Sequence, residues 1–169
     1  RYILPEPPAI PKMKVVSSSN SITIYWDDAA EQSIDPISKK QDFEGYRLYR
    51  SNVGDDLTNT DLINASKLIA QWDEPGNAIG YNNGFSPIKL QTPIHFDGDT
   101  TTYTYKYQLD GLLNGWQYMI VLTSFDAGDD ALNLGSLESS YVADAVRVFP
   151  GSDTLSITKN DIYLKCGVS

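Results

Sequence analysis

The sequence predicts an all-β protein built as an antiparallel β-sandwich. Short segments in which apolar and polar residues alternate are separated by loops rich in turn-forming residues, and no segment keeps a helical period over three turns. Short strands divided by such loops favour a sandwich over a barrel. The chain has 169 residues, 41% of them hydrophobic, which is the length of one domain and enough apolar material to bury a core.

The first half of the chain predicts three strands. Residues 1–11 contain four prolines, which enforce an extended run, so this segment is predicted to be a linker. Residues 12–16 and 21–26 alternate and are joined by a serine-rich turn, which predicts a hairpin. A long polar loop is predicted over residues 27–43, and a third strand over residues 45–51.

The second half predicts four further strands. Residues 52–100 are irregular apart from a strand predicted at 67–72. Tyrosines at every second position predict a strand over 101–107. Residues that favour strands predict two more, over 116–125 and 143–149.

The chain therefore divides into three predicted parts. A proline-rich linker occupies residues 1–11, the β-sandwich domain occupies residues 12–149, and a C-terminal extension occupies residues 150–169. The extension alternates as strands do. Both ends could therefore add a strand to a neighbouring domain or subunit, and an ordinary connection to the next domain is the alternative.

The charge of the chain excludes two classes of partner. Thirteen Lys and Arg residues against 22 Asp and Glu residues give a formal net charge of −9. Such a charge opposes binding to nucleic acid or to anionic lipid headgroups. No run of about 18 apolar residues is present, so no membrane insertion is expected. The N-terminus has neither a starting Met nor the layout of a signal peptide, and the chain is expected to be a piece of a longer protein.

Residue counts also exclude several kinds of active site. The chain has one cysteine, Cys166, and one histidine, His95. A single cysteine cannot form an intrachain disulfide or a cysteine-based zinc site, and a single histidine cannot form a multi-histidine metal site. No Gly-x-Ser-x-Gly turn or phosphate-binding glycine loop occurs, and carboxylates are too abundant to single out a catalytic pair. The sequence therefore predicts a protein without catalytic activity.

Several motifs together point to one family. Prolines precede the first strand, Trp26 closes the second, and residues 46–51 (Tyr-Arg-Leu-Tyr-Arg-Ser) form a tyrosine-containing third strand. Leu112, Gly115 and Tyr118 then stand at the spacing of a corner between two strands. These features resemble a fibronectin type III module, an immunoglobulin-like sandwich whose corner tyrosine hydrogen-bonds back to the corner backbone. The chain departs from the family pattern where proline and threonine are frequent, at Asn114 and Trp116.

The resemblance implies strands A to G and an extracellular role. Such modules have about 100 residues. The surplus here lies in an enlarged B–C loop at residues 27–43 and in an insertion between strands C and E at residues 52–100. Similar enlarged variants occur in long secreted bacterial proteins. The resemblance therefore implies a structural or adhesive module of a larger secreted or cell-surface protein, with neighbouring domains or subunits as partners.

In this topology the B–C, D–E and F–G loops emerge at one pole, where their acidic residues would meet. Asp27 and Asp28 directly follow strand B, and Asp126 directly follows strand F, so the sheet would fix their backbone. Together with Asp129 they are the predicted ligands of Ca²⁺, a hard cation that takes about six to eight oxygen ligands. A solvated acidic pole without a metal is the alternative.

Aromatic side chains outside the predicted core indicate a second function. Trp72, Tyr81, Phe85 and Trp116 could stack on sugar rings, as carbohydrate-binding sandwiches do, and Trp72 and Trp116 are the predicted platform. Packing inside the domain explains both side chains equally well. A carbohydrate-binding module that contacts glycans is therefore the alternative to a structural or adhesive module.

Overall fold

The computed structural model is all-β, as predicted, with two antiparallel sheets. The helical structure of the described chain is limited to two 3₁₀ turns, Ala29–Gln32 and Asp130–Leu132. Within the same part of the chain, no helix has the length and apolar character needed to cross a membrane. The structure describes residues 3–51, 66–140, 143, 145–151 and 157–158.

Nine strands are described: β1 Met13–Ser18, β2 Ser21–Trp26, β3 Phe43–Ser51, β4 Ser66–Asp73, β5 Lys89–Ile94, β6 Tyr103–Leu109, β7 Tyr118–Asp126, β8 Val146–Val148 and β9 Ile157–Thr158. The first sheet has the order β1-β2-β6-β5, and the second has the order β4-β3-β7-β8-β9. Every pair of neighbours is antiparallel. The first sheet therefore begins with the predicted hairpin, and the second is centred on β3 and β7.

Each strand that alternation predicts is present, with ends that differ by a few residues. β5 is an addition, because it lies in the segment predicted to be irregular. It contains Pro93, which cannot donate a backbone hydrogen bond, and its register with β6 is defined only at Lys89 and Ile94. Because β5 is paired at so few positions, its sequence shows little of the alternation of apolar and polar residues that marks a strand. In the C-terminal extension, residues 157–158 form β9, which pairs with β8, while residues 152–156 and 159–169, Cys166 among them, lie outside the described residues.

The core lies between the two sheets and is rich in aromatic rings. Trp26 is fully buried and contacts the rings of Tyr46, Trp72 and Tyr105 at centroid distances of 5.6, 5.7 and 5.6 Å. Aliphatic side chains from both sheets fill the remaining interior. Tyr118, the corner tyrosine of the family resemblance, also belongs to this core. The aliphatic part of the core includes Val15, Ile22, Ile24, Leu48, Ile120, Leu122, Val146 and Val148.

The corner before β7 closes one end of the sandwich. The hydroxyl of Tyr118 accepts a hydrogen bond of 2.9 Å from the backbone N–H of Leu113, while its ring is buried. Nearby, Asn114 Oδ1 accepts from Asn20 N at 2.7 Å, and Gly115 N donates to Pro150 O at 2.9 Å. We call this end the corner pole. Hydrogen bonds there join the β1–β2 turn, the β6–β7 loop and the segment after β8.

The predicted N-terminal linker is packed against the domain before β1 begins. Pro8 and Pro11 are buried. Ala9 N donates to Ser33 Oγ at 2.7 Å, and Ser124 Oγ donates to Ala9 O at 2.8 Å. These bonds join the N-terminal segment to the loop between β2 and β3 and to the end of β7.

Candidate metal centre

Opposite the corner pole, the strand register brings the acidic loops together. Trp26 at the end of β2 is paired with Tyr105 near the start of β6, and Phe43 at the start of β3 faces Asp126 at the end of β7. The loop from β2 to β3 and the loop after β7 therefore emerge at the same end. We call this end the acidic pole.

Three carboxylates converge at the acidic pole. Asp35 lies in the loop between β2 and β3, Asp42 directly precedes β3, and Asp126 is the last residue of β7. One carboxylate oxygen of each lies within 4.8 Å of the other two. Among the described residues, no other trio of acidic, cysteine or histidine side chains meets this spacing. We call these residues the aspartate trio.

Backbone N–H groups hold two members of the trio in place. Asp126 Oδ1 accepts from Leu137 N at 2.8 Å and from Gly128 N at 3.1 Å. Asp35 Oδ1 accepts from Ile37 N at 2.6 Å. Both side chains are almost fully buried. Their orientation is therefore set by the loop backbone before any ion binds.

Asp42 is the most exposed member of the trio. Its own carbonyl accepts from Ala127 N at 2.9 Å, which ties it to the end of β7. Partial burial, with the neighbouring Asp126 and Asp35 carboxylates adding to it, raises the pKa of Asp42 to about 6 from 3.8. Burial also raises the pKa of Asp126. The cluster is therefore electrostatically unfavourable when every carboxylate is ionised and no cation is bound.

The geometry and chemistry of the aspartate trio fit a hard cation. Ca²⁺ binds oxygen at about 2.3–2.6 Å, so ligand oxygens on opposite sides of one ion lie up to about 4.6–5.2 Å apart. The oxygens of the trio, all within 4.8 Å of one another, can therefore share one Ca²⁺. Three carboxylates supply fewer ligands than Ca²⁺ takes, and backbone carbonyls and water would complete the shell.

Of the four predicted metal ligands, only Asp126 belongs to the trio. Asp27 forms a two-way contact with Lys12, since its Oδ1 accepts from Lys12 N at 3.0 Å and its own N donates to Lys12 O at 3.1 Å. Asp28 stands at the N-terminus of the first 3₁₀ turn. The structure therefore groups Asp126 with Asp35 and Asp42, and the ligand set Asp27, Asp28, Asp126 and Asp129 stays a prediction.

Asp129 is occupied by other interactions beside the trio. Its Oδ1 accepts from Ala131 N and Leu132 N, which caps the second 3₁₀ turn. Its Oδ2 accepts from Lys40 Nζ at 2.9 Å, and this bond lowers the pKa of Asp129. The ammonium group of Lys40 therefore already balances the charge of the Asp129 carboxylate.

Sequence reasoning missed Asp35 and Asp42 as members of the trio for identifiable reasons. β3 begins at Phe43, earlier than its alternation predicts, so Asp42 falls inside the predicted loop 27–43 instead of at a strand start. Asp35 precedes Pro36, and nothing in its spacing distinguishes it from its acidic neighbours. The usable signal was adjacency to a strand end, which holds for Asp42 as it does for Asp126.

The two tryptophans predicted to bind sugar lie in different parts of the molecule. Trp72 is 6% exposed and packs against Trp26 and Tyr107. Trp116 is 49% exposed and lies at the corner pole, where its backbone N–H donates to the backbone carbonyl of Leu113. They cannot form one platform, because Trp72 stands on β4 opposite Tyr46, towards the acidic pole. The buried ring of Trp72 also offers no free face for stacking.

One further carboxylate, that of Glu31, binds two hydroxyl groups. Glu31 Oε2 accepts from Tyr46 Oη at 2.9 Å and from Tyr105 Oη, and burial together with this carboxylate raises the pKa of both tyrosines. His95 is exposed, and its ring contacts the backbone carbonyl of Thr101. The polar contacts of Glu31 and His95 are thus contacts within the domain.

Comparison with known proteins adds no family assignment. A scan against protein-family models finds no match to this chain. A search of the curated proteins finds no matching relative.

Proposed function

We propose that the chain is a non-catalytic structural or adhesive module, with a fibronectin type III-like fold, of a larger secreted or cell-surface protein. The strand order supports this fold. Labelled in the family's way, the first sheet is A-B-E-D and the second contains C′-C-F-G, which is the arrangement of immunoglobulin-like sandwiches. Neighbouring domains or subunits are the expected partners.

The corner pole is the observation that carries this proposal. The bond from Leu113 N to Tyr118 Oη joins a buried tyrosine at the start of strand F to the backbone a few residues upstream. This bond resembles the tyrosine corner of immunoglobulin-like domains, and the resemblance supports the proposal. A structural role is further supported by carboxylates that serve as hydrogen-bond acceptors inside the fold, as Glu31 does for two tyrosines.

Localisation provides the direct test. Intact cells that produce the full protein should be labelled by an antibody against this domain, and external protease should remove the label. Labelling that requires permeabilised cells, with a cytoplasmic protein as the control, would contradict a surface or secreted role.

We further propose that the aspartate trio binds Ca²⁺ and joins the B–C loop to the end of strand F. Binding to the native state alone stabilises it by RT ln(1 + [L]/Kd), about 2.7 kcal/mol at a hundredfold excess over Kd. We therefore expect millimolar Ca²⁺ to raise the melting temperature relative to excess chelator. Asp42→Asn should abolish the increase, because it removes a ligand that makes few other described contacts.

Asp110→Asn provides a matched control for this measurement. Asp110 follows β6 at the opposite end of the sandwich from the trio, so its substitution should leave the response to Ca²⁺ intact. A melting temperature that is identical in Ca²⁺ and chelator for the unmodified protein would refute the metal site and leave a solvated acidic pole.

The raised pKa of Asp42 predicts how stability depends on pH. Because the folded-state pKa, about 6, exceeds the ordinary value of 3.8, the folded state holds the extra proton between these values. The stabilisation that the proton on Asp42 contributes to the folded state is complete below the ordinary pKa of 3.8. It is lost as the pH rises through about 6. Without Ca²⁺, the difference in unfolding free energy between the wild type and Asp42→Asn should therefore change between pH 4.5 and pH 7, to the disadvantage of the wild type.

Urea unfolding in chelator at both pH values measures this difference. Comparing the two proteins at each pH cancels the contributions of the shifted carboxylates that do not interact with Asp42. In Ca²⁺ the dependence should reverse, because protons compete with the ion for the same oxygen atoms. A difference that stays constant with pH in chelator would show that Asp42 titrates normally.

A further inference from the structure

The loop between β4 and β5 presents an exposed tyrosine at the acidic pole. Tyr81 is 66% exposed, although most aromatic rings in the described chain pack against the core. The loop segment 74–84 around it is rich in glycine and asparagine, and most of its residues are exposed. We call this segment the tyrosine loop.

A buried carboxylate holds the backbone of the tyrosine loop. Asp73 is fully buried, and its side chain accepts from Tyr81 N at 3.0 Å and from Asn82 N at 2.6 Å. Gln71 Nε2 donates to the same carboxylate at 2.8 Å. Gly80 passes so close that a Cβ there would lie 2.0 Å from Asp73 Oδ2. The backbone on both sides of the Tyr81 side chain is thus fixed by one side chain.

A second buried carboxylate fixes the other half of the loop. Glu44 is 2% exposed and accepts from Asn77 Nδ2 at 2.8 and 2.9 Å, one bond to each oxygen. Asn77 N donates in turn to Asn82 Oδ1 at 3.2 Å, which connects the two halves. The tyrosine loop is therefore ordered by the domain itself and does not need a ligand to order it.

The two buried carboxylates order a loop whose own aromatic side chain stays exposed. Burying a carboxylate is unfavourable unless hydrogen bonds compensate, and here the bonds to Asp73 hold the backbone at Tyr81. A rigidly held aromatic ring, however, loses little conformational freedom on binding a ligand. The loop therefore has the properties of a pre-formed binding element.

We propose that Tyr81 on the tyrosine loop binds a neutral polysaccharide by stacking against a sugar ring. One exposed ring surrounded by glycine and asparagine is too small and too polar for the central cluster of a stable protein interface. It matches a single sugar unit, which offers one apolar face and a polar edge. The net charge of −9, to which Glu74 in the same loop contributes, disfavours an anionic glycan.

Binding to a panel of soluble neutral polysaccharides tests the proposal. Native gels cast with a β-glucan, a xylan, a mannan or a galactan should show retardation of the wild type by at least one of them. Tyr81→Ala should weaken that retardation at least tenfold in apparent affinity, and Tyr81→Trp should retain it. Because Tyr81 is exposed, its variants should melt at the wild-type temperature, which separates binding from folding.

Trp116→Ala is the matched control, since it removes an aromatic ring of comparable exposure at the corner pole. It should leave retardation unchanged. Loss of binding in Trp116→Ala with binding retained in Tyr81→Ala would move the sugar site to the other pole and overturn the proposal. Absence of retardation on every polysaccharide would also overturn it. Neither outcome bears on Ca²⁺ binding, which the melting experiments measure separately.

Discussion

Truncation of Trp26 to alanine is expected to lower the unfolding free energy by on the order of 3–5 kcal/mol, the range for large aromatic side chains removed from a core. Trp26 is fully buried at the centre of an aromatic cluster, in ring contact with Tyr46, Trp72 and Tyr105. Those rings come from three other strands in both sheets, so the cavity cannot be closed by moving one of them. Equilibrium unfolding in urea measures the loss.

Trp116→Ala is the appropriate comparison because it removes the same side chain from a position that is 49% exposed. Its effect should stay within about 0.5 kcal/mol, as for most surface substitutions. Equal losses for the two variants would show that Trp26 is not at the centre of the core.

The second large effect is expected from Glu138→Ala, on the outer face of the second sheet. Glu138 Oε1 accepts from Arg47 Nη1 at 2.7 Å, and its Oε2 accepts from Thr123 Oγ1 at 2.6 Å and from the Tyr49 hydroxyl. The Arg47 guanidinium also lies 3.9 Å from the centroid of the Phe125 ring. One carboxylate therefore fastens the segment after β7 onto side chains of β3 and β7.

We expect Glu138→Ala to lower the unfolding free energy by about 2–4 kcal/mol. Breaking a fully buried ion pair costs about 3–5 kcal/mol, but the side chains of Arg47 and Glu138 are 27% and 19% exposed, which reduces the effect. The loss of an acceptor for the buried Thr123 hydroxyl adds to it. Glu138→Gln, which keeps an acceptor but not the charge, should lose less. Wild-type stability for Glu138→Ala would mean that this segment is held by other contacts.

Much of the fold could be predicted because alternation directly reflects burial on one face of a strand. β2 shows this clearly, since Ile22, Ile24 and Trp26 point into the core. The spacing of Leu112, Gly115 and Tyr118 also predicted a specific hydrogen bond, which the structure contains. Such features depend on residues close together in the chain.

The candidate metal centre was less predictable because it depends on which loop side chains are already occupied. The predicted topology brings the B–C and F–G loops together at one end, as the structure does, and Asp126, predicted from its place at the end of a strand, belongs to the trio. Asp27 and Asp129 looked equally suitable, but backbone N–H groups and Lys40 engage their oxygens. Spacing along the sequence does not encode those local bonds.

The fastening at the corner pole also affects how the protein ages chemically. An asparagine followed by glycine, such as Asn114 and Gly115, deamidates when the glycine nitrogen attacks the asparagine side chain to form a cyclic imide. Here Gly115 N donates to Pro150 O, and Asn114 Oδ1 accepts from Asn20 N. The native contacts and the cyclisation compete for the same atoms, so spontaneous deamidation at this pair has to wait until the corner opens.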